Sequence, residues 1–243
     1  MWFSYDSNFR ARARCPNSKV GRCNARVDVG GEIYHVINRA NGRLQIFNTD
    51  EDYQLFEQLL LETKEITDMR ILAYELMPNH WHLVLHPRND GDLQAFMHKL
   101  SNAHTRKVHA RTNTNGSGHL YQGRYKSFLV DSDSYLLSVI KYVERNAVRA
   151  KLVRLCEDWR WGSSWRRIHG TVQQRKLLDK MPTGFPDRYV EWVNTPDKED
   201  NLNAIRTSVN KSVPYGRDIW VVQMVSKHHL ESTLRSPGRP KNR

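Results

Sequence analysis

The order of apolar patterns along the chain predicts an α+β protein: a ferredoxin-like split βαβ arrangement, with an antiparallel sheet, helices packed on one face and a C-terminal extension. Three observations carry this expectation. Apolar and polar residues alternate at strand period near residues 33–38. Two apolar runs are separated only by Pro78-Asn79. Three other stretches repeat apolar residues at helical spacing. The resulting order is strand, helix, strand, strand, helix, strand, helix.

From Gly31 the pattern tightens. Ile33, His35 and Ile37 alternate with Tyr34, Val36 and Asn38, a half-buried strand that ends in the turn Asn41-Gly42. Asn48, Thr49 or Asp50 then caps a helix on which Tyr53, Phe56, Leu59 and Leu60 recur at helical spacing. Met69 to Leu76 and His80 to Leu85 read as strands, and Pro78-Asn79 between them favours an antiparallel hairpin. Leu93, Phe96, Leu100 and His104 trace a second amphipathic helix. Its other faces carry Lys99, Arg106, Lys107 and Arg111, for which a solvated face is the simplest reading. After Gly116-Ser117-Gly118 a strand is expected from Tyr121 to Val130. Asp131 or Ser132 caps a third helix that runs through Tyr142 and ends near Arg149.

Three regions are expected. Residues 1–29 are polar, arginine-rich and aperiodic, a poorly ordered arm whose charge suits contact with DNA. Residues 30–165 form the main domain. Residues 166–243 form the extension, where Trp192, Trp220, Val221, Val222 and Met224 indicate a small helical or mixed unit. Its end, Arg235 to Arg243, is basic and punctuated by Pro and Gly, like a flexible groove-seeking arm. The segment Trp159 to Trp165 is expected to close the core under the last domain helix, with base stacking as the alternative.

The charge balance narrows the function classes. Thirty-eight Lys and Arg against 26 Asp and Glu leave a formal +12, which points to a polyanionic partner. Nucleic acid is favoured over a membrane because no long apolar span is present. A basic soluble protein without such a partner is the competing reading. Three cysteines, Cys15, Cys23 and Cys156, cannot close a disulfide set and lack zinc-ribbon spacing, so reduced thiols are expected. The first residues have no signal-peptide-like apolar core, which leads us to expect a cytoplasmic protein.

The chemistry concentrates in His80-Trp81-His82. Alternate residues of a strand share a face, so His80 and His82 project together while Trp81 and Leu83 project the other way. Two imidazoles so placed are half a metal site, or else an exposed strand face that happens to carry two histidines. On the third helix Tyr135, Val139, Tyr142 and Asn146 fall on one stripe, and Leu136, Ile140 and Val143 on the adjacent, sheet-facing one. A phenol attacks phosphorus when a metal polarises the phosphate and a neighbouring group helps remove its proton, although a tyrosine beside a core is more often a packed aromatic. The Asn146 amide oxygen, one turn beyond Tyr142, would complete a site with His80 and His82. Two imidazoles and an amide oxygen with open positions suit Mg²⁺ or Mn²⁺; a structural zinc would want a fourth protein ligand.

Several spaced motifs then resemble one family. Tyr34-His35-Val36-Ile37-Asn38-Arg39, Met77-Pro78-Asn79-His80-Trp81-His82, the run Gly118 to Lys126 and the run Tyr142 to Ala150 are similar to the REP-associated tyrosine transposases, within the HUH superfamily of single-strand DNA nucleases. The resemblance runs from Gly31 to Trp165, and Pro237-Gly238-Arg239-Pro240 in the tail looks similar too. It implies that His80 and His82 bind the metal, that Asn146 is the third metal-site residue and that Tyr142 is the nucleophile. Tyr135 is the rival. The family often has Pro after this Asn, whereas Ala147 stands here and would let the helix continue.

The implied activity is cleavage and rejoining of single-stranded DNA at hairpin-flanking sites through a 5′-phosphotyrosine link. The implied partners are hairpins of repetitive palindromic elements with an unpaired flank. Gln122, Arg124, Tyr125 and Lys126 mix amide, cation and ring in a manner suited to phosphates and stacked bases, or else form a solvated edge. Arg39, Arg149 and Arg239 are the other expected DNA contacts. His35 stands near the site or is simply buried. A non-cleaving DNA- or RNA-binding protein on the same fold is the alternative function, and both monomer and homodimer stay open.

Overall fold

A computed structural model describes residues 27–235 apart from Asn115, Ser117 and Asp133. Strand β1 (Ile33–Arg39) lies inside the sheet because both of its edges are paired. It runs antiparallel to β3 (His80–His86), with Tyr34 opposite Leu85 and Arg39 opposite His80. On its other side it runs antiparallel to β4 (Lys126–Val130), with Ile33 opposite Val130 and Ile37 opposite Lys126. Strand β2 (Arg70–Met77) pairs antiparallel with β3 across the Pro78-Asn79 turn. The order β2-β3-β1-β4 is the ferredoxin-like sheet expected of an α+β fold.

Alternation along the strands divides the core in two. Helices α1 (Asp50–Thr67) and α2 (Asp92–Thr112) place Phe56, Leu60, Phe96 and Leu100 against Tyr34, Trp81, Leu83 and Leu85 on one face. Helix α3 (Ser134–Glu144) places Leu136, Val139, Ile140 and Val143 against Ile33, Leu72, Val84 and Phe128 on the other. The expectation of helices on one face therefore holds for α1 and α2, while α3 covers the reverse face. The reason is that β1, β3 and β4 carry apolar residues on both faces, and each such side chain removed from water contributes about 1.5–3 kcal/mol.

Local signals account for most boundaries. Thr49 is the N-cap of α1, and the Asp52 carboxylate accepts from the backbone N–H groups of Asn48 and Thr49 at 2.8 and 3.0 Å. Strand β4 begins at Lys126 rather than Tyr121: Tyr121 makes only an isolated bridge with Ala40, and the Gln122 N–H donates to the Arg39 carbonyl at 2.9 Å. The third helix is interrupted at Arg145 (φ −92°, ψ 3°) and resumes as α4 (Asn146–Arg149).

The extension is integral to the core. Helix α5 (Ser163–His169) straddles its start, and it contains α6 (Val172–Arg175), α7 (Tyr189–Asn194), α8 (Glu199–Lys211), α9 (Asp218–Lys227) and α10 (Glu231–Leu234). Asp179 bonds to both backbone groups of Ile71 on the β2 edge, and Tyr215 bonds to Leu129 and Asp131 on the β4 edge, all at 2.8 Å. Both open edges of the sheet are thereby covered. Leu202 and Ile205 pack on the α3 side, and Met224 and Val225 on the α1 side. Trp159 donates to the Leu76 carbonyl at 2.9 Å and Trp161 stacks on Tyr53 at 4.8 Å, so these two rings close the core beside α1, while Ser163 of the same segment donates to Glu144 at the end of α3 at 2.6 Å. Asp28 caps the start of α2, accepting from Leu93 and Gln94 at 3.1 and 2.8 Å, which ties the residues just before 30 to the main domain. The arm before residue 27, with Cys15 and Cys23, lies outside the described residues, as does the tail after residue 235. Among the described residues no helix is long and apolar enough to cross a membrane.

Candidate active site

The pleat of β3 sends Trp81 into the α1 side, where its indole N–H donates to the Tyr121 hydroxyl at 2.9 Å. His80 and His82 consequently project toward the α3 side, their ring centroids 5.1 Å apart. Each has its Nδ1 engaged. His80 Nδ1 lies 2.6 Å from Asn79 Oδ1, and His82 Nδ1 lies 2.9 Å from Nε2 of His35 on the neighbouring strand. Both rings therefore keep Nε2 for another partner.

Electrostatics keeps the three imidazoles neutral. Burial pushes His35 down to about 3. Burial and the Arg39 charge push His80 down to about 4. His82 is held well below the usual imidazole range by burial first, then by His35, His80, Arg149 and Arg39. Neutral imidazole is the form that donates a lone pair to a metal.

Helix α3 supplies the phenol. Val139 and Val143 anchor it to the sheet, and Tyr142 stands with its ring centroid 6.0 Å from His82 and 6.2 Å from His35. Tyr135, on the same stripe, meets Tyr215 at 5.2 Å instead. At the helix break the last carbonyls of α3 find side-chain partners: the Asn146 amide nitrogen donates to Tyr142 and Val143 at 3.3 and 3.2 Å, and Arg149 Nη2 donates to Tyr142. With its N–H groups so used, Asn146 presents an acceptor oxygen as its remaining function. Ala147, where Pro is frequent in the resembling family, gives its N–H to Glu75 Oε1 at 3.3 Å. Glu75 is fully buried, and burial raises it well above the usual carboxylate range. The interruption at Arg145 thus arises without a proline.

Two neutral imidazoles with oriented Nδ1 atoms and one spare amide oxygen fit a divalent ion with open coordination positions. Among the described residues no group of three or more His, Cys, Asp and Glu side chains is placed to hold a metal.

The expected DNA contacts fall into separate places. Arg39, Gln122, Arg124 and Lys126 line one cavity of about 280 Å³ together with Asn38 and Asn210 of α8. Arg39 is the register partner of His80, which puts this cavity at the same end of the sheet. A groove of about 770 Å³ along the polar side of α2 shares Gln122 and Arg124 and adds His98, Asn102 and Thr105. Tyr125 is only 8% exposed and packs in the α1-side core, and it also lines the groove that Gln122 and Arg124 share. Arg149 is spent within the molecule, its guanidinium 4.3 Å over the Tyr142 ring. Arg239 lies outside the described residues. Sequence reasoning missed the bond from His35 to His82 and the stacking of Arg149 on Tyr142. The first was recoverable from strand register, whereas the second depends on the helix break.

Fold and site together define a ferredoxin-like α+β protein that sets a His-x-His strand against a helix-borne tyrosine. Residues 29–146, just under half of the chain, match the family model described as Transposase IS200 like. Among solved structures, a REP-associated tyrosine transposase bound to a REP hairpin is 18% identical at a TM-score of 0.52, over 74% of this chain and 93% of its own. A candidate transposase from Deinococcus radiodurans R1 is 22% identical at a TM-score of 0.36, over 53% of this chain and 97% of its own. No curated protein matches the chain significantly.

Proposed function

We propose that the protein is a metal-dependent tyrosine endonuclease and strand transferase acting on single-stranded DNA hairpins of repetitive palindromic elements. The observation that carries this reading is the approach of the Tyr142 ring to within 6.0 Å of His82, on the sheet face where His80 also projects. The match of residues 29–146 to a transposase family model and a fold shared with a hairpin-bound neighbour support the choice of DNA as substrate.

His80 and His82 would hold Mg²⁺ or Mn²⁺ through their Nε2 atoms, with the Asn146 oxygen as third donor. When bound, the ion supplies Lewis-acid polarisation of the scissile phosphate. The Tyr142 phenol oxygen attacks phosphorus and loses its proton to solvent. A phosphotyrosine ester forms on the 5′ side, the bond to the 3′ oxygen breaks, and that oxygen leaves as a 3′-hydroxyl after taking a proton. Attack by another 3′-hydroxyl reverses these changes and joins strands, so bond energy is conserved without nucleotide hydrolysis. His35 holds the His82 ring, and Arg39, Gln122, Arg124 and Lys126 guide the strand, with Tyr125 supporting them from beneath. The same reading counts Arg239 of the tail among the DNA contacts and keeps the protein cytoplasmic.

The test is incubation with a labelled single-stranded hairpin bearing unpaired flanks, with Mg²⁺ or Mn²⁺, followed by denaturing electrophoresis. A protein-DNA adduct that resists denaturation is expected. Its absence with wild type would leave a non-cleaving nucleic-acid-binding protein as the better reading.

A further inference from the structure

Lys141, Arg145 and Arg149 succeed one another at four-residue steps from α3 across the break into α4. All three approach one carboxylate, Asp197, in the turn between α7 and α8. Lys141 Nζ is 3.9 Å from it, Arg145 Nε 3.6 Å and Arg149 Nη1 4.0 Å. The Lys141, Arg145 and Asp197 side chains are 11%, 9% and 10% exposed, and that of Arg149 is 20%. Three cations thus share one anion in a poorly solvated place, and Arg149 Nη1 and Asp197 Oδ2 are both buried without a hydrogen bond. Asp197 comes from the extension, beyond the segment that matches the family model.

We propose that Asp197 is a positioning residue that keeps the Arg149 guanidinium stacked on Tyr142 and so sets the orientation of the phenol; this rests on the reading of Tyr142 as nucleophile. Arg149 is the link. Its guanidinium lies 4.3 Å over the ring, one nitrogen donates to the Tyr142 carbonyl, and the other nitrogen is the one near Asp197. The other two cations are held elsewhere as well: Arg145 Nη1 donates to the Val193 carbonyl at 2.9 Å, and Lys141 Nζ sits 5.4 Å over the Trp192 ring. Without the Asp197 charge the three cations repel one another in low dielectric. Arg149, the most exposed of them, is the one that leaves, and the phenol loses the plate that fixes its plane.

Two measurements test this. At saturating hairpin oligonucleotide with Mn²⁺, Asp197→Asn slows adduct formation about tenfold while the Kd for the same oligonucleotide stays within about twofold, because geometry at the nucleophile is lost and binding is not. Asp197→Glu recovers most of the rate. In an Arg149→Lys background, which retains charge but not the planar stack, Asp197→Asn adds nothing further. Independently of cleavage, with 3-fluorotyrosine replacing Tyr142, Asp197→Asn moves the ¹⁹F resonance toward its unfolded-state position. A wild-type resonance or rate in Asp197→Asn, a loss of affinity equal to the loss of rate, or additive losses would each overturn the assignment. A wild type that forms no adduct instead refutes the nuclease reading, and the fluorine shift still decides whether Asp197 orients the ring.

Discussion

His35 Nε2 lies 2.9 Å from His82 Nδ1, joining neighbouring strands of the sheet beneath the Tyr142 ring. A buried imidazole so placed fixes the partner ring and its tautomer. His35→Phe keeps the volume and removes the bond. Mn²⁺ affinity, measured by titration calorimetry, is expected to fall by about 10- to 100-fold. Unchanged affinity would show that His35 is only core filling.

Tyr142 and Tyr135 occupy one stripe of α3, yet only Tyr142 meets the histidines, while Tyr135 meets Tyr215. Tyr142→Phe is expected to abolish the covalent adduct and leave hairpin affinity near wild type, and Tyr135→Phe to retain the adduct. The reverse pattern on denaturing gels would move the nucleophile to Tyr135.

Glu144 is fully buried at the end of α3, accepting from Ser163 at 2.6 Å, from Tyr189 at 2.7 Å and from Arg167 at 3.3 Å. Removing it strands a guanidinium that is only 15% exposed. Glu144→Ala is expected to cost about 3–5 kcal/mol in urea unfolding. A cost near zero would show that the extension does not depend on this anchor.

His104 is 1% exposed, lies 2.6 Å from the Tyr121 hydroxyl and is pushed down to about 3 by burial. Its folded pKa is below its unfolded value, so the unfolded chain binds the extra proton. The resulting stabilisation is present above about 6.5 and is lost as pH falls toward 3. Between pH 7 and pH 5 the loss from this one group is about 2 kcal/mol. Urea unfolding at both pH values should therefore show a smaller pH dependence in His104→Gln than in wild type. Equal dependence would place the proton uptake elsewhere.

Local spacing was enough for much of this protein. A cap among Asn48, Thr49 and Asp50 and the hairpin at Pro78-Asn79 follow from local residue type, and the common face of His80 and His82 and the stripe carrying Tyr142 from periods of 2 and 3.6 acting over a few residues. The start of β4 was misplaced because Tyr121 to Tyr125 has strand-like composition but is held by Trp81, His104 and Arg39, which are distant in sequence.

By itself, then, the amino-acid order determined the sheet, the element sequence and the chemical identities of the site, because those depend on near-neighbour periodicity and side-chain type. Only the tertiary structure decided that α3 crosses the face opposite α1 and α2, that His35 is the partner of His82, that Arg149 lies on Tyr142 instead of facing solvent, and that an aspartate 55 residues beyond Tyr142 reaches its neighbour Arg149. Each of these depends on burial and charge pairing between segments far apart in the chain, and no local pattern encodes which distant partner a buried polar group will find.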